Sequence, residues 1–173
     1  STKQERDEQY AHPLYLSAVD QFGETKFDVI PPGVNDTIFS QTPTLTDKKF
    51  KPKLDAIFGV NGGPVILVSS RLDEKKNIIG VIQAYLEDNA LIQKAHLVLC
   101  VRGINDPEAD IYKLSNDEQV VLKKILNKIK DGHIQKYVHF LNLGSQLELA
   151  ATYRYFAQRG SVFALTSLYE PFG

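Results

Sequence analysis

From Pro64 onward, short apolar blocks alternate with stretches of helical period, whereas residues 1–50 carry no sustained pattern. Pro64 to Ser69 is a continuous, partly β-branched run, the mark of a strand buried on both faces. Within Glu74 to Asp88, the residues Ile78, Ile82, Tyr85 and Leu86 recur at helical spacing and predict one helix with a single apolar stripe. The cycle then repeats. His96 to Val101 reads as a second strand. After a loop with Gly103 and Pro107, Ser115 and Glu118 form a capping box for a helix carrying Leu122, Ile125, Leu126 and Ile129, which Gly132 stops. Lys136 to Leu141 is a third strand, and Ser145 with Glu148 caps a helix whose Leu149, Tyr153 and Phe156 share a face until Gly160. Ser161 to Thr166 is a fourth strand, buried like the others. Strands separated by helices imply right-handed crossovers, so the fold class is α/β: a Rossmann-like parallel sheet with helices on both faces. In such sheets ligands lie beyond the carboxyl ends of the strands, which directs attention to the segments after residues 70, 101, 141 and 166.

The N-terminal third predicts supporting structure. Thr2 and Glu5 make a capping box for a short helix that Pro13 interrupts or kinks, and Lys26 to Ile30 is a short strand ending at Pro31-Pro32-Gly33. Ser40 to Lys53, rich in Thr, Pro and Lys, reads as a surface connection, and its Lys48, Lys49, Lys51 and Lys53 as a solvated run. The expected division is 1–39, 40–62 as linker, and 63–173 as a partial nucleotide-binding domain.

Composition narrows the function. The chain has 173 residues, 43% of them hydrophobic and 24% charged, with a formal net charge of -1, which leaves no bulk field for nucleic acid or an anionic membrane. The lone Cys100 permits no internal disulfide and suits a reducing, cytoplasmic setting as a buried small hydrophobe. No apolar stretch reaches the length of a membrane span. His12, His96, His133 and His139 are scattered without metal-ligand spacing, and His96 and His139 read as strand residues satisfied in place. No G-x-G-x-x-G follows the first strand, which argues against a dinucleotide dehydrogenase. The chain contains no methionine, and an origin within a longer gene product is the expectation.

Candidate chemistry sits after the first and fourth strands. Ser70-Arg71-Leu72-Asp73-Glu74-Lys75-Lys76-Asn77 places a forked guanidinium and ammonium groups where Arg71 and Lys76 can hold a pyrophosphate. Cations in the first turn of a helix oppose its dipole, and that cost favours a functional reading over decoration. After the fourth strand, Glu170-Pro171-Phe172-Gly173 sets a carboxylate and the free N–H groups of a helix start beside the same crevice; Glu170 is equally well explained as a first-turn acid.

Together, Ser70-Arg71-Leu72 with Lys76-Asn77 and Glu170-Pro171-Phe172-Gly173 resemble the signature of retaining glycosyltransferases with two Rossmann-like domains, the GT-B fold. Ile30-Pro31-Pro32-Gly33-Val34-Asn35 resembles that family's interdomain segment, and Ser1 to Glu5 the end of its N-terminal domain. Within the family, Val98 to Pro107 and Ser161 to Gly173 look most like the bacterial sucrose-phosphate synthases. The resemblance implies half of the family's C-terminal domain. It implies glucose transfer from UDP-glucose to fructose 6-phosphate, with Arg71 and Lys76 on the diphosphate, Glu170 positioning a donor hydroxyl, and the main chain near Phe172 and Gly173 facing the sugar. It requires no cofactor, although magnesium accompanies the nucleotide in some relatives. The family's second acid would fall past Gly173, so the chain alone is expected to be inactive and to self-associate through its truncated sheet. A sucrose synthase or another nucleotide-sugar transferase is the alternative within the family; a non-catalytic nucleotide-binding module is the alternative outside it.

Overall fold

The structure is a computed structural model that describes residues 7, 8, 10–14, 28, 30 and 33–168. The chain divides into two compact units, and Thr37–Leu168 forms one of them. The other, Ser1–Asp36 with Tyr169–Gly173, is described at few positions. The expected Thr2–Glu5 cap, most of the Lys26 to Ile30 strand, and Glu170, Phe172 and Gly173 lie outside the described residues.

The larger unit runs α1 (Leu45–Phe58), β1 (Val65–Ser69), α2 (Ile78–Glu87), α3 (Asn89–Lys94), β2 (His96–Cys100), α4 (Pro107–Asp110), α5 (Asn116–Asp131), β3 (Val138–Leu141), α6 (Gln146–Ala157) and β4 (Val162–Phe163). The strands form one parallel sheet in the order β3-β2-β1-β4, with Ser69 in register with Cys100 and Cys100 with Leu141. Two apolar layers sandwich it. Val68, Leu97, Leu99 and Val138 meet Ile82, Tyr85, Leu122 and Ile125 of α2 and α5. On the opposite face Val65, Leu67, Val98 and Leu141 meet Phe50 and Leu54 of α1 and Ala151 and Phe156 of α6. β1, β2 and β3 therefore alternate their side chains between two covered faces, as a parallel sheet requires.

The sequence reading needs three corrections. The expected linker contains α1, opened by a Thr44–Asp47 capping box and carrying Phe50 and Leu54 into the core despite Pro52. Burial of that apolar stripe outweighs the cost of one interior proline. The single helix expected over Glu74 to Asp88 is broken, because Asn77 adopts a left-handed conformation at φ 53°. Lys75 and Lys76 consequently sit in the last turn of a separate 3-10 turn, Glu74–Lys76, rather than opening the α-helix. The fourth strand is only Val162–Phe163, residues that are 58% and 48% exposed, because neither apolar layer extends over them. Gly132 ends α5 as the sequence predicts, in right-handed geometry, and His133 after it takes the left-handed turn, at φ 54°. What Gly132 supplies is close approach, since a Cβ there would meet Leu86 Cδ2 at 2.4 Å.

Candidate functional site

The strand order places a switch point between β1 and β4. The chain steps from β1 through β2 to β3 on one side, then crosses back to lay β4 on the other. A sheet of this kind opens a crevice at the carboxyl ends flanking that point. The loop after β1 and the segment after β4 are hydrogen-bonded to one another there. Ala164 N–H donates to Leu67 O at 2.9 Å, Thr166 Oγ1 to Lys76 O at 3.3 Å, and Leu168 N–H to Lys75 O at 2.8 Å. The loop after β1 is itself shaped by Asp73, whose carboxylate accepts from Lys75 N–H at 2.9 Å. Arg71 and Lys76 are thus presented by one folded turn, and the chain leading into residues 169–173 is tied to it.

A cavity of about 540 Å³ lies over the carboxyl ends of β1, β2 and β3, with Leu72, Val101, Leu143 and Leu149 as apolar lining and Ser70, Arg71 and Arg102 as polar lining. Arg71 also borders a second cavity of about 770 Å³, beside Lys75 and the start of α5. The Ser70 hydroxyl is buried without a hydrogen-bond partner. Arg71 is exposed and Lys76 half-buried. Cys100 sits beneath the first cavity, where burial pushes its thiol up to about 12.

Three features of this crevice are not apparent from local sequence. Arg102 stands beyond β2 as Arg71 stands beyond β1, because Ser69 and Cys100 are in register. Gly103 follows at φ 84°, a conformation that favours glycine, and its N–H donates to Asn142 Oδ1 at 2.8 Å. The carboxylate of Asp110, itself buried, accepts from Asn105 N–H at 2.8 Å and Asp106 N–H at 3.0 Å and pairs with Lys113 at 2.5 Å. The Lys113 hydrogen bond first, then the two N–H groups, hold the Asp110 carboxyl down to about 2. The segment after residue 101 was already marked as crevice-lining by the strand pattern, and Arg102 is its first cation.

Among the described residues, no three His, Cys, Asp or Glu side chains converge as a metal site. Of the carboxylates bordering the two cavities, Glu118 accepts from Ser115 N–H and Oγ, and Glu74 pairs with Lys124. Away from the crevice, His96 Nδ1 and His139 Nε2 are 2.8 Å apart in nearly parallel rings. None of the described helices is long and apolar enough to cross a membrane.

No family model matches the chain. A probable sucrose-phosphate synthase of Thermosipho melanesiensis is 36% identical over 173 residues, covering 100% of this chain and 34% of that protein. A sucrose synthase of Beta vulgaris is 26% identical over 91% of this chain and 22% of its own length. Sucrose-phosphate synthase 4 of Arabidopsis thaliana is 36% identical over 64% of this chain and 10% of its own length. The chain therefore spans about a third, or less, of the curated relatives it matches. Along its whole length it is a sucrose-phosphate-synthase-like sequence.

Proposed function

We propose that this chain is the donor-nucleotide part of a retaining hexosyltransferase that moves glucose from UDP-glucose to fructose 6-phosphate, giving sucrose 6-phosphate. The observation that carries the reading is Arg71: an exposed guanidinium at the carboxyl end of β1, bordering both crevice cavities, with no carboxylate partner among the described residues. In the reaction, the bond from the anomeric carbon to the diphosphate oxygen breaks, and UDP departs with the electron pair. The acceptor hydroxyl bonds to that carbon and gives up its proton. Charge thus accumulates on the diphosphate, where a fixed guanidinium stabilises the transition state more than the ground state. Lys76 adds a second cation from the same turn. Glu170 positions a donor hydroxyl, and the main chain at Phe172 and Gly173 meets the sugar; these roles rest on the family resemblance.

Magnesium, where it takes part, travels with the nucleotide rather than with this chain. The reading includes a cytoplasmic setting. It also includes self-association of the isolated chain, supported by the exposed Val162, Phe163, Leu165 and Leu168. A sucrose synthase, using unphosphorylated fructose, is the second reading, supported by relatives of that name.

Calorimetric titration of the chain with UDP, UDP-glucose and NAD tests the donor assignment. Uridine ligands are expected to bind, NAD not, and Arg71→Ala and Lys76→Ala each to weaken UDP by about tenfold. A folded chain that prefers NAD, or that holds UDP equally well without Arg71, would overturn the reading.

A further inference from the structure

Arg71 and Arg102 are equivalent by topology. Ser69 and Cys100 are paired across adjacent parallel strands, and each arginine follows its strand end at the same offset. Neighbouring parallel strands lie about 4.8 Å apart, so the two guanidinium groups can close on one ligand. Both line the cavity of about 540 Å³, and neither has an ion pair among the described residues. Two like charges side by side repel, an arrangement that an anion between them relieves. Glu118, which also lines this cavity, is committed to Ser115.

The backbone carrying Arg102 is braced for a fixed position. Val101 N–H donates to Leu141 O at 3.2 Å, Ile104 N–H to Val101 O at 3.3 Å, and Gly103 N–H to Asn142 Oδ1 at 2.8 Å. Ile104 is fully buried beneath the loop, and Asp110 holds the following N–H groups. Such bracing lowers the ordering cost of placing a guanidinium on a ligand. Ser70, beside Arg71, also lines this cavity, its hydroxyl buried without a hydrogen-bond partner.

We infer that Arg102 is a second guanidinium of the nucleotide site, gripping with Arg71 the phosphate next to the nucleoside. The inference rests on the donor-binding reading above and extends it to a residue that the reading does not use. Arg102 contacts phosphate rather than the nucleobase.

The test titrates the full chain with UDP, UMP, uridine and inorganic pyrophosphate, using wild type, R102A, R102K, R71A and R71A/R102A. The expected result is a loss of about tenfold or more for UDP and UMP in R102A, with a smaller loss in R102K, which keeps charge but not the fork. Uridine affinity is expected to be unchanged. The R71A and R102A effects on UDP are expected to be non-additive, as for two groups on one anion. Arg102 is exposed, so thermal unfolding of R102A should match wild type, and R102K serves if it does not. Equal losses for uridine and UMP would place Arg102 on the nucleoside and overturn the inference. Wild-type UDP binding untouched by R102A would overturn it alone, whereas a folded wild-type chain that binds no uridine nucleotide would overturn the donor reading and this inference together.

Discussion

Arg154 of α6 holds Asp47 of α1 by two parallel hydrogen bonds, Nε to Oδ1 at 2.7 Å and Nη2 to Oδ2 at 2.9 Å. Its remaining nitrogen donates to Ile38 O at 3.1 Å and Ser40 O at 2.9 Å. One guanidinium thus fixes the start of α1 and the chain leading into it. The Arg154 hydrogen bonds, with support from Thr44, hold the Asp47 carboxyl far below the usual carboxylate range. Truncation, Arg154→Ala, removes four hydrogen bonds from the α1 entry and leaves the mostly buried Asp47 carboxylate with Thr44 but no cation, and is expected to cost about 2–3 kcal/mol in urea unfolding. Because the folded pKa is depressed, this contribution is complete above the unfolded value of 3.8 and is lost as pH falls below it. A wild-type minus variant difference that stays constant down to pH 2 would contradict the pairing.

The imidazole pair His96–His139 predicts a second acid sensitivity, closer to neutrality. Burial, then the neighbouring His96, lowers the His139 pKa from its ordinary 6.5. The folded chain then binds fewer protons than the unfolded one, so stability is complete above pH 6.5 and declines as pH falls through and below that value. The groups around the pair are Phe58 against His139 and Tyr137 against His96, with Lys136 over the Tyr137 ring. No carboxylate among these offsets a second proton. The thermal midpoint of wild type should fall between pH 7.5 and 5, and that of His139→Gln should fall less. Parallel curves would assign the slope elsewhere.

Gly62, between α1 and β1, is expected to tolerate no side chain. A Cβ there would stand 2.0 Å from Phe58 O and 2.6 Å from Arg159 Nη1. The carbonyl belongs to the end of α1 and cannot rotate aside, so Gly62→Ala must shift the α1–β1 connection, at a cost of about 1–3 kcal/mol. Gly33→Ala is the control, since a Cβ at Gly33 meets nothing within 4 Å. Equal thermal midpoints for the two variants would mean that the connection yields freely.

Legibility followed burial. The strands at Val65, His96 and Val138 were readable because strands covered on both faces are apolar throughout, and α5 and α6 were readable because Ser115 and Ser145 announce them as caps. Helix α1 was obscured by its lysines and Pro52, although Thr44 and Asp47 spelled a capping box and Phe50, Leu54 and Phe58 recur at helical spacing. The break at Asn77 was hidden because a left-handed residue between two helical turns leaves the apolar stripe intact. Arg71 was visible from its place after a strand. The equivalence of Arg102 was not, because it depends on the pairing of Ser69 with Cys100, a long-range relationship that local patterns do not encode.

Cys100 gives a direct readout of the strand framework under the crevice. It is 6% exposed, on a strand flanked on both sides by partners, and burial raises its thiol to about 12. A thiol reagent acts on the thiolate, so labelling at pH 8 is expected to be negligible in the native chain and to require opening of the sheet. Labelling rates in increasing urea should then follow the global unfolding transition monitored by circular dichroism. UDP, if it binds the crevice above Cys100, should slow labelling further by stabilising the closed form. Rapid labelling without denaturant would mean that the carboxyl ends of β1, β2 and β3 open independently of the rest, and a rigid pair of arginines at those ends could then not be maintained.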